Sequence, residues 1–281
     1  MQAAIRDARP VVALETSIVG QGLPAPHNLN AARGCEAAIR EEGAVPATVG
    51  VLDGGLRIGL TDQELERIAK RSIKVSSRDI GPAVASRAVG ATTVAATLRA
   101  ARLAGIRFMA TGGIGGIHRG HPEDQSADLF ELSVSQVAVF CAGAKIILDL
   151  RLTLERLESL AVPVLGYGTD EFPAFYTRRS GCPVSARVDG PAQAAGALRA
   201  SWELGDHGVV VAIPPPGDLE GAEELVLRAV AEAGDVSGSD VTPHLLTRIA
   251  ELSQGRSLDL NVELVINNAR VAAQVASEYG R

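Results

Sequence analysis

The chain has 281 residues, of which 46% are hydrophobic and 21% charged, a composition that supports a large buried core and excludes disordered, collagen-like and coiled-coil proteins. The net charge of −6 has the opposite sign to surfaces that bind DNA or RNA, and only 3% of the residues are aromatic, so a nucleic-acid polymer is not an expected partner. One large domain covering 1–281 is the expected organisation, with two small domains as the alternative.

The cysteines and the hydropathy pattern indicate the compartment. Cys35, Cys141 and Cys182 are an odd, widely spaced set without a CxxC motif, which argues against a disulfide framework and a structural zinc site. The first ten residues contain no apolar segment of signal-peptide length, and no later run approaches the roughly 18–20 apolar residues that cross a bilayer. We therefore expect a cytoplasmic protein with no membrane partner.

Short apolar runs alternate with amphipathic stretches along the chain, which is the pattern of β-α units around a buried, largely parallel sheet. The predicted strands are 11–14, 48–52, 106–110, 137–140, 162–165 and 209–213. The predicted helices are 30–42, 62–70, 92–104, 153–160, 220–233 and 241–253, and an amphipathic C-terminal helix follows them. A Pro-Pro-Pro-Gly stretch at 214–217 separates the last strand from this helical section.

Glu15 is the first polar side chain that suggests chemistry. The apolar strand 11–14 runs directly into it, and α/β sheets bind ligands at the carboxyl ends of parallel strands. Partial burial there would raise the pKa of the carboxyl group and suit it to general-acid catalysis. A solvated glutamate at a strand end is an equally good interpretation of the position alone.

Two further segments have the composition of a phosphate site. The stretch 74–79 combines Lys74 and Arg78 with two serines, and 90–94 opens a predicted helix whose first N–H groups are free to bind an anion. A solvated loop is the simpler interpretation of the first segment, and helix capping by threonine is the simpler one for the second.

The segment 111–128 reads TGGIGGIHRGHPEDQSAD and follows a predicted strand. Its glycines allow bare backbone to approach a ligand, but neither G-x-G-x-x-G nor Walker A spacing is present, so a nucleotide cofactor is not supported. Asp124 and Asp128 could ligate a hard divalent cation with water filling the coordination sphere, and His118 or His121 could bind substrate. Solvated loop carboxylates are the alternative.

Lys145 follows the predicted strand 137–140 and a run of small residues. A lysine desolvated there holds its proton less tightly and can attack an aldehyde or ketone, whereas an ordinary lysine extending from a helix start is the alternative. On the C-terminal helix, Asn267 and Asn268 are poor helix formers, which indicates a structural hydrogen bond or a substrate contact. An acid, an amine, a metal carboxylate and phosphate donors together suit imine chemistry on a phosphorylated sugar.

Strings distributed in order over nearly the whole chain resemble the pseudouridine-5′-phosphate glycosidase family, also called indigoidine synthase A-like: ALETSIVGQGLPAPHN, GAVPATVGVLDG, KVSSRDI, GATTVAAT, TGGIGGIHRG, SADLFEL, VAVFCAGAKIILDL, GYGTDEFPAFY and NVELVINNARVAAQVA. The resemblance implies a three-layer α/β/α fold with a mixed, largely parallel central sheet, a homotrimer and one Mn²⁺ per subunit. It also implies reversible cleavage of the C–C glycosidic bond of pseudouridine 5′-phosphate to uracil and ribose 5-phosphate, a reaction of nucleotide catabolism.

The same resemblance implies roles for individual residues. Glu15 corresponds to the proton donor, Lys145 to the nucleophile that forms an imine with the anomeric carbon, and Asp124 to the metal ligand. Substrate contacts correspond to Lys74, Val94, Ser126, Ala127, Asp128, His118 and Asn268. Thr16 stands where many relatives have serine, and the loop HRGHPEDQSAD is shorter than in some members, which leaves the geometry around the metal open.

In the implied mechanism, Lys145 attacks the anomeric carbon as the ribose ring opens, Glu15 assists proton movement, and uracil leaves before water releases the sugar. Three alternatives stay open: an enzyme of the same family acting on another base or sugar phosphate, an aldolase-like lyase, and a sugar-phosphate-binding protein without catalysis.

Overall fold

The strand that precedes Glu15 lies in the middle of a ten-stranded sheet. The computed structural model describes residues 1–232 and 241–280. Its strands are β1 Val11–Leu14, β2 Val45–Leu52, β3 Gly55–Ile58, β4 Ile73–Val75, β5 Gly90–Thr92, β6 Phe108–Ala110, β7 Ile117–His118, β8 His121–Gln125, β9 Ala138–Cys141, β10 Leu148–Asp149, β11 Val164–Tyr167, β12 Ala186–Val188 and β13 Val209–Ala212.

The order of the large sheet is β12-β11-β13-β9-β6-β1-β2-β5-β4, and β3 pairs with β2 outside this path. From β12 to β2 every neighbouring pair is parallel, whereas β3 and β5 run antiparallel to β2. A separate three-stranded antiparallel sheet has the order β10-β7-β8. The expected mixed, largely parallel central sheet is thus confirmed.

Helices cover both faces of this sheet. They are α1 Gln2–Arg6, α2 His27–Glu41, α3 Asp62–Lys70, α4 Ile80–Ala85, α5 Val94–Ala104, α6 Ala127–Val134, α7 Leu150–Ser159, α8 Pro191–Leu204, α9 Ala222–Glu232, α10 Val241–Leu252 and α11 Arg256–Tyr279, with a π-helical turn at Ile18–Gly22 and a 3₁₀ turn at Ser77–Asp79. On one face α11 packs against β1, β6 and β9 and against the helices α2 and α8, while α5 packs on the other face. This arrangement is the expected α/β/α architecture.

The central strands are apolar because both of their faces are covered. Every residue of β1, β6, β9 and β13 is buried, as expected for parallel strands between two helical layers. The buried apolar side chains of these strands and of α11 belong to one continuous hydrophobic cluster. Among the described helices, none is long and apolar enough to cross a membrane.

The predicted elements are found at the predicted places, with shifts at their ends. The helix 62–70 has the predicted bounds because Thr61 and Glu64 form a reciprocal capping box. The expected helix 92–104 begins two residues later, at Val94, because Thr92 pairs with Val75 as the last residue of β5. Ala233, the predicted end of the helix 220–233, lies outside the described residues.

Candidate active site

Three adjacent parallel strands bring the predicted acid and the predicted amine to the same edge of the sheet. The order β9-β6-β1 places Glu15 after β1, the turn beginning at Thr111 after β6, and the loop that carries Lys145 after β9. A cavity of about 60 Å³ lies at this edge. Its lining residues include Glu15, Lys74 and Lys145, so three of the residues expected from the sequence meet there.

Glu15 is nearly enclosed by protein. It is 9% exposed, and the hydroxyl groups of Ser17 and Thr111 donate hydrogen bonds to its two carboxylate oxygens. Burial raises the pKa of this carboxyl group above its ordinary value, whereas the charge of Lys145 and the two hydroxyl hydrogen bonds lower it and the charge of Asp128 raises it. The net rise makes Glu15 a carboxyl group that retains its proton at a higher pH than an ordinary glutamate, as a general acid requires.

Backbone hydrogen bonds hold Lys145 against the glycine-rich turn. The N–H of Ile114 donates to the carbonyl of Gly143 at 3.0 Å, and the N–H of Lys145 donates to the carbonyl of Ile114 at 3.2 Å. Gly143 has φ +78°, and a Cβ atom there would lie 1.9 Å from the carbonyl oxygen of Pro173, so only glycine fits this position. These contacts fix the backbone of the loop, so the half-buried Lys145 side chain extends from a well-defined position.

Asp128 joins the glycine-rich turn to the start of α5. One of its carboxylate oxygens accepts from the N–H of Ala95 at 2.8 Å, and the other accepts from the N–H of Gly115 at 2.7 Å. Ser126 is the N-cap of α6, and its hydroxyl oxygen accepts from the N–H of Asp128 at 3.2 Å. Both oxygens of this buried carboxylate therefore bind backbone, and a direct substrate contact by Asp128 stays a prediction.

Two other expected substrate contacts lie at helix starts and are not among the residues lining the cavity. Val94 is the first residue of α5 and is buried, with Thr93 as its N-cap. Ala127 is the first residue of α6 and is exposed. Their side chains have no polar atom, so any contact with a polar substrate would come from the N–H groups at these helix starts.

Asp124 and His118 meet on the hairpin formed by β7 and β8. The Oδ2 atom of Asp124 lies 2.6 Å from Nδ1 of His118, and the Asp124 side chain is half exposed. Within residues 1–232 and 241–280 no group of three or more His, Cys, Asp or Glu side chains is arranged to hold a metal. These residues therefore fit a hydrated cation held by one carboxylate, as hard divalent ions permit, and they do not fit a cation enclosed by protein ligands.

Two further side chains, Gln21 and Asn261, line the cavity, and no motif or pattern in the sequence distinguishes them. The side-chain carbonyl oxygens of both are buried and have no hydrogen-bond partner among the described residues. The Nε2 atom of Gln21 donates to the carbonyl of Ser72 at 3.1 Å, so the side-chain carbonyl oxygen is the group of this amide that lacks a partner. Burying an amide oxygen without a hydrogen-bond partner costs free energy of folding. In a residue that lines a cavity, such an oxygen indicates that a bound ligand supplies the missing hydrogen-bond donor.

Asn268 occupies a different place from Asn261 on the same helix. It is fully buried, and its Nδ2 atom donates to the carbonyl of Thr111 at 2.9 Å and to that of Gly112 at 3.4 Å. It is not among the residues lining the cavity. Asn268 thus binds the backbone of the glycine-rich turn from a position outside the cavity. The substrate contact expected for it stays a prediction.

Comparisons with known sequences agree over the full length of the chain. The family model described as indigoidine synthase A like protein matches residues 1–278. A protein from Deinococcus radiodurans named pseudouridine-5′-phosphate glycosidase is 52% identical, over 99% of this chain and 93% of its own length.

Two solved structures are also similar over nearly the whole chain. An indigoidine synthase A-like protein from Thermotoga maritima has a TM-score of 0.92 and 34% identity, over 98% of this chain and 94% of its own. The prealnumycin C-glycosynthase AlnA, solved in complex with ribulose 5-phosphate, has a TM-score of 0.90 and 38% identity, over 99% of this chain and 94% of its own.

Proposed function

The chain belongs to the indigoidine synthase A-like family of enzymes, and we propose that it reversibly cleaves the C–C glycosidic bond of pseudouridine 5′-phosphate to give uracil and ribose 5-phosphate. The observation that carries this proposal is the meeting of Glu15 and Lys145 in one cavity at the end of the parallel sheet. The names of the relatives indicate the substrate. The carboxyl group and the amine in the cavity suit the cleavage of its C–C bond.

A C–C glycosidic bond explains why an amine is needed. Ordinary glycosidases protonate a leaving oxygen and use a pair of carboxylates, but the base of pseudouridine is attached through carbon and offers no such oxygen. Opening the ribose ring and forming a carbon–nitrogen bond provides another route. Glu15 is the buried carboxyl group of the cavity, and Lys145 is the amine beside it.

In the proposed reaction, Glu15 gives its proton to the ring oxygen as the bond between that oxygen and the anomeric carbon breaks. The Lys145 amine forms a bond to the anomeric carbon and loses a proton to water, and the lone pair that this leaves on the nitrogen then forms the C=N bond of a protonated imine. The carbon–carbon bond to the base breaks in the same step, with its electron pair staying on the base carbon, which takes up a proton from water. Water adds to the imine and releases ribose 5-phosphate and free Lys145.

The phosphate of the substrate needs positive charge at the other end of the cavity. Lys74 lines the cavity from β4 and supplies such a charge, and an anchored phosphate orients the reacting carbon. We assign Asp124, with His118 beside it, as the carboxylate that would hold a hydrated Mn²⁺. When bound, the ion would supply positive charge for the phosphate or for a carbonyl of the base.

The base would be oriented by the two side-chain amides of the cavity. The base of pseudouridine carries two ring N–H donors, and Gln21 and Asn261, which line the cavity, each have a buried carbonyl oxygen without a hydrogen-bond partner among the described residues. Hydrogen bonds from the base would satisfy both oxygens and favour this base over one without the donors.

Release of uracil from pseudouridine 5′-phosphate, measured by chromatography with Mn²⁺ added, tests the proposal directly. We expect release by the wild type and none by Lys145→Ala, and borohydride with ribose 5-phosphate should trap a covalent adduct only when Lys145 is present. A Lys145→Ala variant with full activity would contradict the mechanism.

The similarity to AlnA favours one second candidate, a lyase with the same lysine imine that acts on another aromatic group joined to a pentose phosphate. Folded, Mn²⁺-loaded protein that is trapped by borohydride at Lys145 yet releases no uracil would indicate this second function.

We further propose a homotrimer in the cytoplasm. Large apolar side chains that stand exposed on the single chain, among them Leu103, Phe130 and Leu204, support a covered surface in an oligomer. The three unpaired cysteines support a reducing compartment. Light scattering should give a mass of about three chains of 29.1 kDa, and a monomer would contradict the trimer.

A further inference from the structure

A second, smaller cavity borders Glu15 on the side of α2 and α11. Its volume is about 20 Å³, and one water molecule needs roughly 10–15 Å³ of such space together with two or more polar partners. Glu15, Thr48 and Thr111 are among the residues that line it, and most of the others are apolar. The space and these three residues with polar side chains therefore suit one water beside Glu15.

Thr48 connects this cavity with a carboxylate that reaches solvent. Its hydroxyl group is buried and donates to Oε1 of Glu36 at 2.5 Å. The Glu36 side chain lies on α2, is 16% exposed, and forms an ion pair with Arg40 at 2.8 Å. One hydroxyl group thus separates the cavity from a carboxylate at the surface.

The sheet fixes Thr48 beside the cavity. In the parallel pairing of β1 with β2, Thr48 is the partner of Leu14, the residue that precedes Glu15. Cys35, on α2, also lines the cavity. Burial raises the pKa of the Cys35 thiol, and the negative charges of Glu36 and Glu15 both add to the rise, so both carboxyl groups lie near the same sulfur.

We propose that the cavity binds one water molecule, which forms with Thr48 and Glu36 a proton relay between Glu15 and the surface. The inference rests on the proposed function of Glu15 as proton donor. In the outward direction the O–H bond of Glu15 breaks and its proton goes to the water. The water gives a proton to the Thr48 hydroxyl group, which passes its own proton to Glu36. Glu15 ends ionised and Glu36 protonated, and the reverse sequence recharges Glu15.

The relay answers a specific need of the proposed reaction. Glu15 is nearly enclosed by protein, and a substrate in the larger cavity would cover the remaining opening. In the proposed reaction Glu15 gives its proton to the ring oxygen, so it must be protonated again before the next turnover. The path through Thr48 reaches solvent without crossing the substrate, and the Thr48 hydroxyl group is already oriented towards Glu36.

The kinetic test separates the first turnover from later ones. Thr48→Val keeps the side-chain shape without the hydroxyl group, and Glu36→Gln removes the carboxyl group at the surface end of the relay. In both variants we expect a single-turnover rate and a KM close to wild type, with steady-state kcat lower by about ten-fold or more. Thr48→Ser, which retains a hydroxyl group, should restore kcat. Glu41→Gln, a change on the same helix at an exposed glutamate that pairs with Arg270 at 3.5 Å, is the matched control.

Equal losses in the single-turnover and steady-state rates of Thr48→Val would overturn the relay, because they would indicate that Thr48 only positions Glu15. A crystal structure of the wild type provides a readout that does not depend on the substrate. We expect a water within hydrogen-bond distance of Glu15 and Thr48, and its loss in Thr48→Val. Absence of that water in the wild type would overturn the relay even if uracil is released. If uracil is not released, the proposed function fails and the catalytic role of the relay fails with it, whereas the crystal structure separately shows whether the cavity binds the water.

Discussion

The side-chain amide of Asn268 donates a hydrogen bond to the carbonyl oxygen of Thr111 at 2.9 Å, which joins the C-terminal helix to the end of β6. The hydroxyl group of the same threonine donates to Glu15. The position of the buried carboxyl group therefore depends on a residue of the last helix, which reaches the site from behind the glycine-rich turn.

Asn268→Ala should destabilise the protein by about 2 kcal/mol, because the change removes a buried hydrogen bond and leaves backbone carbonyls without a donor. Chemical denaturation measures the loss. The control is Asn267→Ala, since Asn267 is only partly buried and a change there should cost about 0.5 kcal/mol or less. Equal stability of the two variants would show that the contact to Thr111 contributes nothing.

The two asparagines of α11 illustrate what the sequence can and cannot predict. Asn261 and Asn268 are seven residues apart, so they share one face of the helix but lie about 10 Å apart along its axis. Periodicity predicts the shared face. Only the packing of α11 against the sheet decides that Asn261 reaches the cavity while Asn268 lies behind the turn.

The same distinction holds for the fold. Buried apolar runs predicted the central strands because helices cover both of their faces, and a capping box predicted the bounds of α3. The strand Gly90–Thr92 has no such pattern, since its three small residues form a strand only through pairing with β2 and β4. The hairpin of β7 and β8 consists mostly of polar residues, so the pattern of apolar runs does not predict it.

Asp128→Asn should lower stability by about 2–3 kcal/mol, because one carboxylate oxygen becomes an NH₂ group that faces a backbone N–H of Ala95 or Gly115. Since this contact holds the turn, KM should rise as well. Asp149→Ala removes only the cap of α7, where the carboxylate accepts from Leu152, and should cost about 1 kcal/mol without a change in KM. An Asp128→Asn variant with unchanged stability and a raised KM would instead indicate a direct substrate contact.

Asp124→Asn should weaken Mn²⁺ binding by about ten-fold or more, because a hard cation prefers a charged carboxylate oxygen to a neutral amide oxygen. Titration followed by the electron paramagnetic resonance signal of free Mn²⁺ measures this without any substrate. Glu123→Gln is the matched control, since this exposed neighbour on the same strand pairs with His121 and is not assigned to the metal. Chelation should lower the activity of the wild type, and equal Mn²⁺ affinities in the two variants would contradict the assignment of Asp124.

The raised pKa of Glu15 makes the stability of the protein depend on pH in a defined direction. Because burial raises this pKa in the folded state, the folded chain holds a proton that the unfolded chain releases above its ordinary value of 4.5. The wild type should therefore lose stability as the pH rises from that value to the raised pKa, where Glu15 is forced to ionise in its buried position.

Glu15→Gln cannot ionise and should not show this loss. Its Tm relative to the wild type should increase with pH from about 4.5, the ordinary value, and level off above the raised pKa. Thermal unfolding of both proteins over a series of buffers measures the difference. Lys145→Met provides an internal check, because the charge of Lys145 lowers the pKa of Glu15 and its removal should extend the pH range in which the wild-type carboxyl group stays protonated. A Tm difference between Glu15→Gln and the wild type that is constant at every pH would mean that Glu15 titrates as an ordinary glutamate.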